Sequence, residues 1–507
     1  MIYLVEITVA TDAAGTVSVL RYGTAGYVTK PTDAPANTWY EGRLEKSVSL
    51  GRNISDTNRT AGASRLELGV IDLVNTDGAL DVLSTYGVDG RPVVVRIGDP
   101  AGPLSEFTTV MTATAEGVEV TKNQATIRLR DKALVLDKPV CSVKYAGSNV
   151  LPAGREGTAS DLKDRVKPRL FGTVMNIQPP CVNTARLIYQ VSDGLIAGVS
   201  AVYDRGVLLT AGTPYASLAE LEDSVPAAGQ YRVWAAGGYF RLGSNPAGIV
   251  TCDASEGAAA ADRTTAQIIK RLALAVGLQT SEISLADMAA LDSVSTAEVG
   301  IWLSDETSAV NALDLIAPAA GAWWGFDRLG ILRIARLGAP VGVPVVTLTD
   351  VEIIGIERQS PRDSRGGIPV WRTVVRYGRN YSPQDSDLAG AVTADRRAWL
   401  IEEWRSAAAE DSAIKQKHLL ADVLTVDTLL VSAAGASAEA SRLQGIHGVR
   451  RDVFVVQVQV ADALAVDLGQ VVRIAFPRFG LEAGRLFVVI GVAPEVLRDY
   501  IELTVWG

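Results

Sequence analysis

Histidine is almost missing from this chain: His418 and His447 are the whole supply among 507 residues. A Ser-His-Asp relay would need one of them beside a placed hydroxyl. His418 falls in a charged, helix-like stretch and His447 in a Gly-flanked loop, which suits solvated or structural roles. Cysteine is nearly as scarce, since Cys141, Cys181 and Cys252 are too few and too far apart to staple a chain of 53.6 kDa. No window reaches the roughly 18 to 20 apolar residues of a membrane helix. The first seven residues lack the basic flank and cleavage pattern of a signal peptide, so synthesis and folding in a cytoplasm is the expectation. Positive charge is also short, with 48 Lys and Arg against 57 Asp and Glu, a net −9 and a pI near 5.1. Such a surface has no general attraction for nucleic acid, and a channel lined by it would repel a passing phosphate backbone and let it slide.

Other chemistry-bearing patterns are missing as well. Residues 147–157 carry several glycines but no Lys-Ser/Thr closure and no helix start, so they read as a surface loop and not as a phosphate cradle. Carboxylates are plentiful, yet no stretch sets one pair apart for glycoside hydrolysis. Arg165, Lys167 and Arg169 stand beside Asp161 and Asp164, and mixed signs so close together predict a salt-bridged face.

What the chain does have is alternation. Apolar residues make up 48% and charged ones 21%, enough for several substantial cores and roughly three or four domains. Period-two runs at 4–9, 17–22, 44–50, 66–73, 93–97, 107–115 and 125–129, punctuated by Gly, Asp and Asn, predict an antiparallel sandwich or barrel over 1–138. Residues 139–258 read as an insertion-like, mainly β module with strands near 187–191 and 231–235 and one or two helical turns at 215–221. It contains all three cysteines.

An α+β region is expected over 259–395. Ile268, Ile269, Leu272 and 274–276 give a helix over 264–276 stopped by Gly277. A second helix over 309–317 is capped by Ser308 and ended by Pro318. Residues 321–334 form a β-hairpin turning at Asp327–Gly330, and strands resume from 345 to 381. Over 396–507 a helical segment is expected first, with residues 396–445 rich in Ala, Leu, Glu, Lys and Ser, and a mixed run of helices and short strands after it. A terminal β-element follows, with strands at 466–474, 485–492 and 500–506. The fold class is therefore mainly β with α+β parts.

The three cysteines lie at turn or strand-end positions of one module, and two readings stand. They are buried small hydrophobes, or thiolates holding zinc or an iron–sulfur cluster with a fourth ligand that is not cysteine.

Four segments resemble the baseplate hub, or tail-tip, proteins of long-tailed bacteriophages and gene transfer agents. They are residues 68–81 with 86–91; Lys167-Pro168-Arg169-Leu170-Phe171-Gly172 with Asn176 and 189–194; the 321–332 hairpin; and the closing 467–489 element. The resemblance implies a non-enzymatic virion structural protein with two tail-tube-like β-barrel domains and accessory modules. Three copies would close a pseudo-sixfold ring at the tail tip. The partners it implies are distal tail or tail-tube proteins above and a central fibre or receptor-binding protein below, with DNA passing through unread. It also implies Cys141, Cys181 and Cys252 as candidate ligands of an iron–sulfur cluster, although a four-thiolate site would need one cysteine more. A distal tail protein closing as a hexameric ring and a tail-associated, cell-wall-degrading glycoside hydrolase are the alternative readings.

Overall fold

The computed structural model describes residues 1–507 apart from 47–49, 55–61, 360–367, 464 and 496–499. The central part of the strand expected at 44–50 lies outside the described residues.

The alternating N-terminal runs form a nine-stranded sheet in the order Tyr27–Val28, Trp39–Gly42, Val17–Gly23, Ile2–Ala10, Pro92–Gly98, Thr108–Val120, Gln124–Arg130, Val70–Val74, Leu44–Lys46. Their period of two sends Val5, Ile7, Val93, Val95, Ile71 and Ile127 into one core. The sheet curls because Trp39–Gly42 and Leu44–Lys46 are separated by Arg43 alone, yet pair with opposite ends of it. Arg43 pins the corner: its Nη1 donates to the Val74 carbonyl at 3.1 Å, and its guanidinium grips both carboxylate oxygens of Asp77.

The middle module contributes two five-stranded sheets packed around Val174, Tyr189, Val202, Phe240 and Cys252. Strand Arg169–Ile177 belongs to one of them and pairs at its start with Gly300–Leu303. Leu170 and Val174 face this core, while Phe171, one residue out of phase, faces the largest core of the molecule.

The largest core gathers the helices Thr265–Ala275, Leu285–Val294, Ala309–Ile316 and Ala433–His447, together with the hairpin Ala322–Phe326/Leu332–Arg336. Ser308 caps its helix as expected, its hydroxyl oxygen accepting from the Asn311 amide, and Pro318 ends the α-helix in a short 3₁₀ turn. In the hairpin, Asp327 accepts from the amides of Leu329 and Ile331, and Gly330 takes a φ of +75°.

The closing strands lie in a sheet ordered Val346–Leu348, Val471–Ile474, Arg485–Glu495, Tyr500–Trp506, Val453–Gln459, Ile353–Gln359. Strand Leu50–Asn53 joins it at Arg485–Glu495, and Arg65–Leu68 pairs in turn with Leu50–Asn53. The protein is thus a mixed α/β fold dominated by β-sheets. It contains one partly curled half-barrel where two closed tube-like barrels were expected. The C-terminal edge is completed by strands borrowed from the N-terminal part of the chain and not by its own closure.

Several local expectations are corrected. The single strand expected at 66–73 is two strands, broken at Gly69 and serving different sheets. Helix Leu285–Val294, capped by Ser284, was not foreseen. The stretch read as helical from 396 contains strands Arg405–Glu410 and Val423–Asp427, both paired with Arg372–Tyr377. His447 ends a helix and is not in a loop. Lys167 pairs with Glu156 at 2.7 Å and not with the neighbouring aspartates, and Arg169 lies over the Phe171 ring.

Candidate functional site

The three sequence-selected cysteines are free thiols in different surroundings. Cys141 sits in the largest core and its Sγ lies 3.5 Å from the Leu303 carbonyl. Cys252 is fully buried in strand Val250–Ser255 within the middle module's core, and Cys181 packs at the margin of that core from strand Cys181–Asn183. Burial pushes the Cys141 and Cys181 thiols up to about 11, and Cys252 well above the ordinary thiol range. Among the described residues, no three His, Cys, Asp or Glu side chains stand together to hold a metal ion.

The polar constellation that does span the molecule lies where the N-terminal arm meets the 322–336 hairpin and the C-terminal sheet. Residues 485–488 pair with strand Val471–Ile474, and the next part of the same edge is taken by the arm, Asn53 against Gly491 and Arg52 against Val492. The Ile54 amide continues the ladder to the Ile490 carbonyl at 2.7 Å. Ile54, Trp323 and Leu468 pack together beneath it, with Gly469 against the Trp323 ring.

Charge follows the same route. Arg52, 7% exposed, donates to Asp467, whose other oxygen lies 3.6 Å from Arg333. Arg333 is held in turn by Asp287 at 2.5 Å and Asp327 at 3.4 Å. These carboxylates, led by Asp287, which accepts hydrogen bonds from Arg333, hold the guanidinium above the ordinary arginine range. A pair buried this way stabilises little by itself, but removing one partner strands the other charge.

Further along the arm, Gly62–Ala63 runs parallel to the hairpin. The Asp314 Oδ1 accepts both the Ala63 amide at 3.1 Å and the Trp324 Nε1 at 2.9 Å. The Ser64 amide donates to the Trp324 carbonyl at 2.6 Å. Burial pushes the Asp314 carboxyl up, against the lowering pull of those two donors. The curled sheet reaches the hairpin as well, through the Thr112 amide to the Arg328 carbonyl at 2.7 Å, and just past that sheet Lys132 pairs with Glu282 of the 280–282 turn at 2.7 Å. Each of these carboxylates is committed to a cation or a donor N–H, an arrangement that ties sheets together.

Sequence reasoning placed Trp323 and Asp327 in the hairpin and Asp467 in the closing element without foreseeing that the two segments meet. It missed Arg52, Asp314 and Arg333 as ties. A signal for Asp314 existed: it is the one charged residue of the helix Ala309–Ile316.

No family model matches the chain, and no curated protein matches it in sequence. Among solved structures it is similar to the tail protein from Neisseria meningitidis MC58, with 11% identity and a TM-score of 0.43, over 100% of this chain and 96% of that one. It is also similar to the prophage MuSo2 43 kDa tail protein from Shewanella oneidensis, with 11% identity and a TM-score of 0.41, over 92% and 94% of the two chains. A chain of the virion of a native gene transfer agent particle aligns at 15% identity and a TM-score of 0.42, over 73% of this chain and 91% of that one. The similarity is to tail and virion proteins in general.

Proposed function

We propose that this chain is a structural baseplate hub protein that closes a phage-type tail tube at its tip. Three copies surround the axis, each offering the curled N-terminal sheet and the C-terminal sheet as tube-like units. Distal tail or tube proteins dock above and a central fibre or receptor-binding protein below. Within the ring an acidic lumen lets DNA pass during ejection without being read.

The observation that carries this reading is the arm: Leu50–Asn53 completes the edge of the C-terminal sheet, and Gly62–Ala63 lies along the hairpin. A chain knitted in this way cannot open between its two β-rich ends without breaking ladder hydrogen bonds and buried ion pairs, as a part under axial force requires. Ring closure also suits a protein with several sheet edges to cover, since pairing between copies satisfies backbone groups and sets the copy number.

Electron microscopy of particles carrying this chain tests the proposal: three copies around an axial channel at the tube end are expected. Six copies would make it a distal tail ring instead. A monomer that releases sugar fragments from cell walls would overturn the structural reading altogether.

A further inference from the structure

Helix Leu285–Val294, strand Leu332–Arg336 and helix Ala433–His447 leave a groove between them with a cavity of about 680 Å³, lined by Ala290, Val294, Leu337, Ala339, Gly445 and Ile446 among others. A smaller cavity of about 290 Å³ adjoins it through Val294 and Arg336. Where the two meet stand two guanidiniums and one carboxylate. Glu439, with 3% of its side chain exposed, accepts from Arg336 at 2.5 Å and from Arg442 at 2.6 and 2.8 Å. Arg336 also reaches the Val294 carbonyl at 2.8 Å, and Arg442 the Leu337 carbonyl at 2.7 Å. Gly321 makes room for this cluster, since a Cβ there would lie 1.8 Å from Arg442 Nη2.

The charge does not balance. Asp287, the acid on the groove wall, is engaged by Arg333 through both oxygens, at 2.5 and 3.2 Å. Glu439 can neutralise only one of its two arginines, and the Arg336 Nε is buried without a hydrogen-bond partner. Burial and the charge of Arg442 push Arg336 below the ordinary arginine range. Yet Arg336 and Arg442 keep 22% and 18% of their side chains exposed, so a further anion can reach them.

Around this cationic floor the rim is apolar. No charged residue occurs from Leu337 to Leu348. Along that segment Val341, Val343 and Val345 are 70%, 91% and 55% exposed, and Val294 on the opposite helix is 56% exposed. An apolar segment that lines a groove with Leu337 and Ala339 and then continues along the chain with exposed valines marks a docking face.

We infer that this groove binds a peptide segment of another polypeptide, one with apolar side chains for the walls and a single carboxylate for the Arg336–Arg442 pair. Apolar anchors supply the affinity and the charge-assisted contact fixes the register. The groove does not depend on the tail reading and stands or falls by itself.

The test is selection of displayed random peptides of about 12 residues against the full-length protein, enough to lay apolar anchors along a groove. Expected winners combine apolar residues with one Asp, Glu or free C-terminal carboxylate. In fluorescence anisotropy, changing that acid to its amide weakens binding about tenfold or more. Arg336→Gln leaves the Glu439–Arg442 pair intact, and is expected to abolish the preference for acid over amide. Ala290→Trp, which fills the groove, is expected to abolish binding. Winners without an acid, no winners at all, or peptides that bind the Ala290→Trp protein as well as wild type would overturn the inference. So would self-association of the chain that Ala290→Trp alone removes, which would make the occupant a second copy.

Discussion

Replacing Asp314 separates the contribution of its hydrogen bonds from that of its charge. Because a single oxygen, Oδ1, accepts both the Ala63 amide and the Trp324 indole N–H, Asp314→Asn can keep both bonds, while Asp314→Leu loses both. An orphaned buried donor costs about 1–3 kcal/mol. Two such donors, less the relief from no longer burying a carboxylate, leave roughly 2–4 kcal/mol against the leucine variant. That cost falls on the attachment of the arm to the hairpin, so hydrogen exchange at Ala63 is the readout in place of a global melt. At 2 kcal/mol, exchange there accelerates roughly 30-fold in Asp314→Leu.

The pH dependence supplies a second arm of the experiment. The folded pKa of Asp314 is raised, so its contribution favours the fold in acid and is lost as pH rises through the folded value. Asp314→Asn therefore gains on wild type as pH climbs from below the ordinary aspartate range to neutrality, and loses that advantage in acid. Unchanged Ala63 exchange in Asp314→Leu would refute the claim that Asp314 holds the arm.

Gly172 has a φ of +74°, and a Cβ there would meet the Val299 carbonyl at 2.0 Å. Gly172→Ala is expected to cost more than about 2 kcal/mol or to abolish soluble expression. A wild-type unfolding midpoint would remove the steric argument. Burial alone would raise Glu6, but the Tyr40 hydroxyl, Arg96 and Arg21 bring it below the ordinary glutamate range. Its stabilising contribution is present above that range and lost as pH falls through the folded value. Glu6→Gln is thus expected to destabilise at pH 7 and to approach wild type in acid, and a pH-independent difference would contradict this. With Cys141 and Cys252 buried and all three thiols raised, native protein at pH 8 is expected to give at most one slowly reacting thiol, Cys181, to a disulfide reagent. Three rapidly reacting thiols would show that the cores are open.

Wherever a residue's neighbours along the chain decide its conformation, the sequence was enough. Ser308 before an apolar helix, Pro318 after it, and Asp327 with Gly330 between two alternating runs each carry their own local cause, and the elements stand where those residues place them. Helix Leu285–Val294 escaped because its Ala-rich stretch buries only Met288 and Leu291 and shows no clear apolar stripe. Strand Arg405–Glu410 escaped because Ala407 and Ala409 favour a helix in isolation, and only the ladder to Arg372–Tyr377 makes them extended.

The candidate sites were less legible still. Arg52 and Asp467 are 415 positions apart, and Arg336 meets Glu439 across 103. Alternation determined by itself that this would be a protein of sheets. Which edge Leu50–Asn53 would complete, and which charges would be buried together there, was decided by tertiary packing. Edge pairing and ion pairing draw their free energy from partners that the local sequence does not specify.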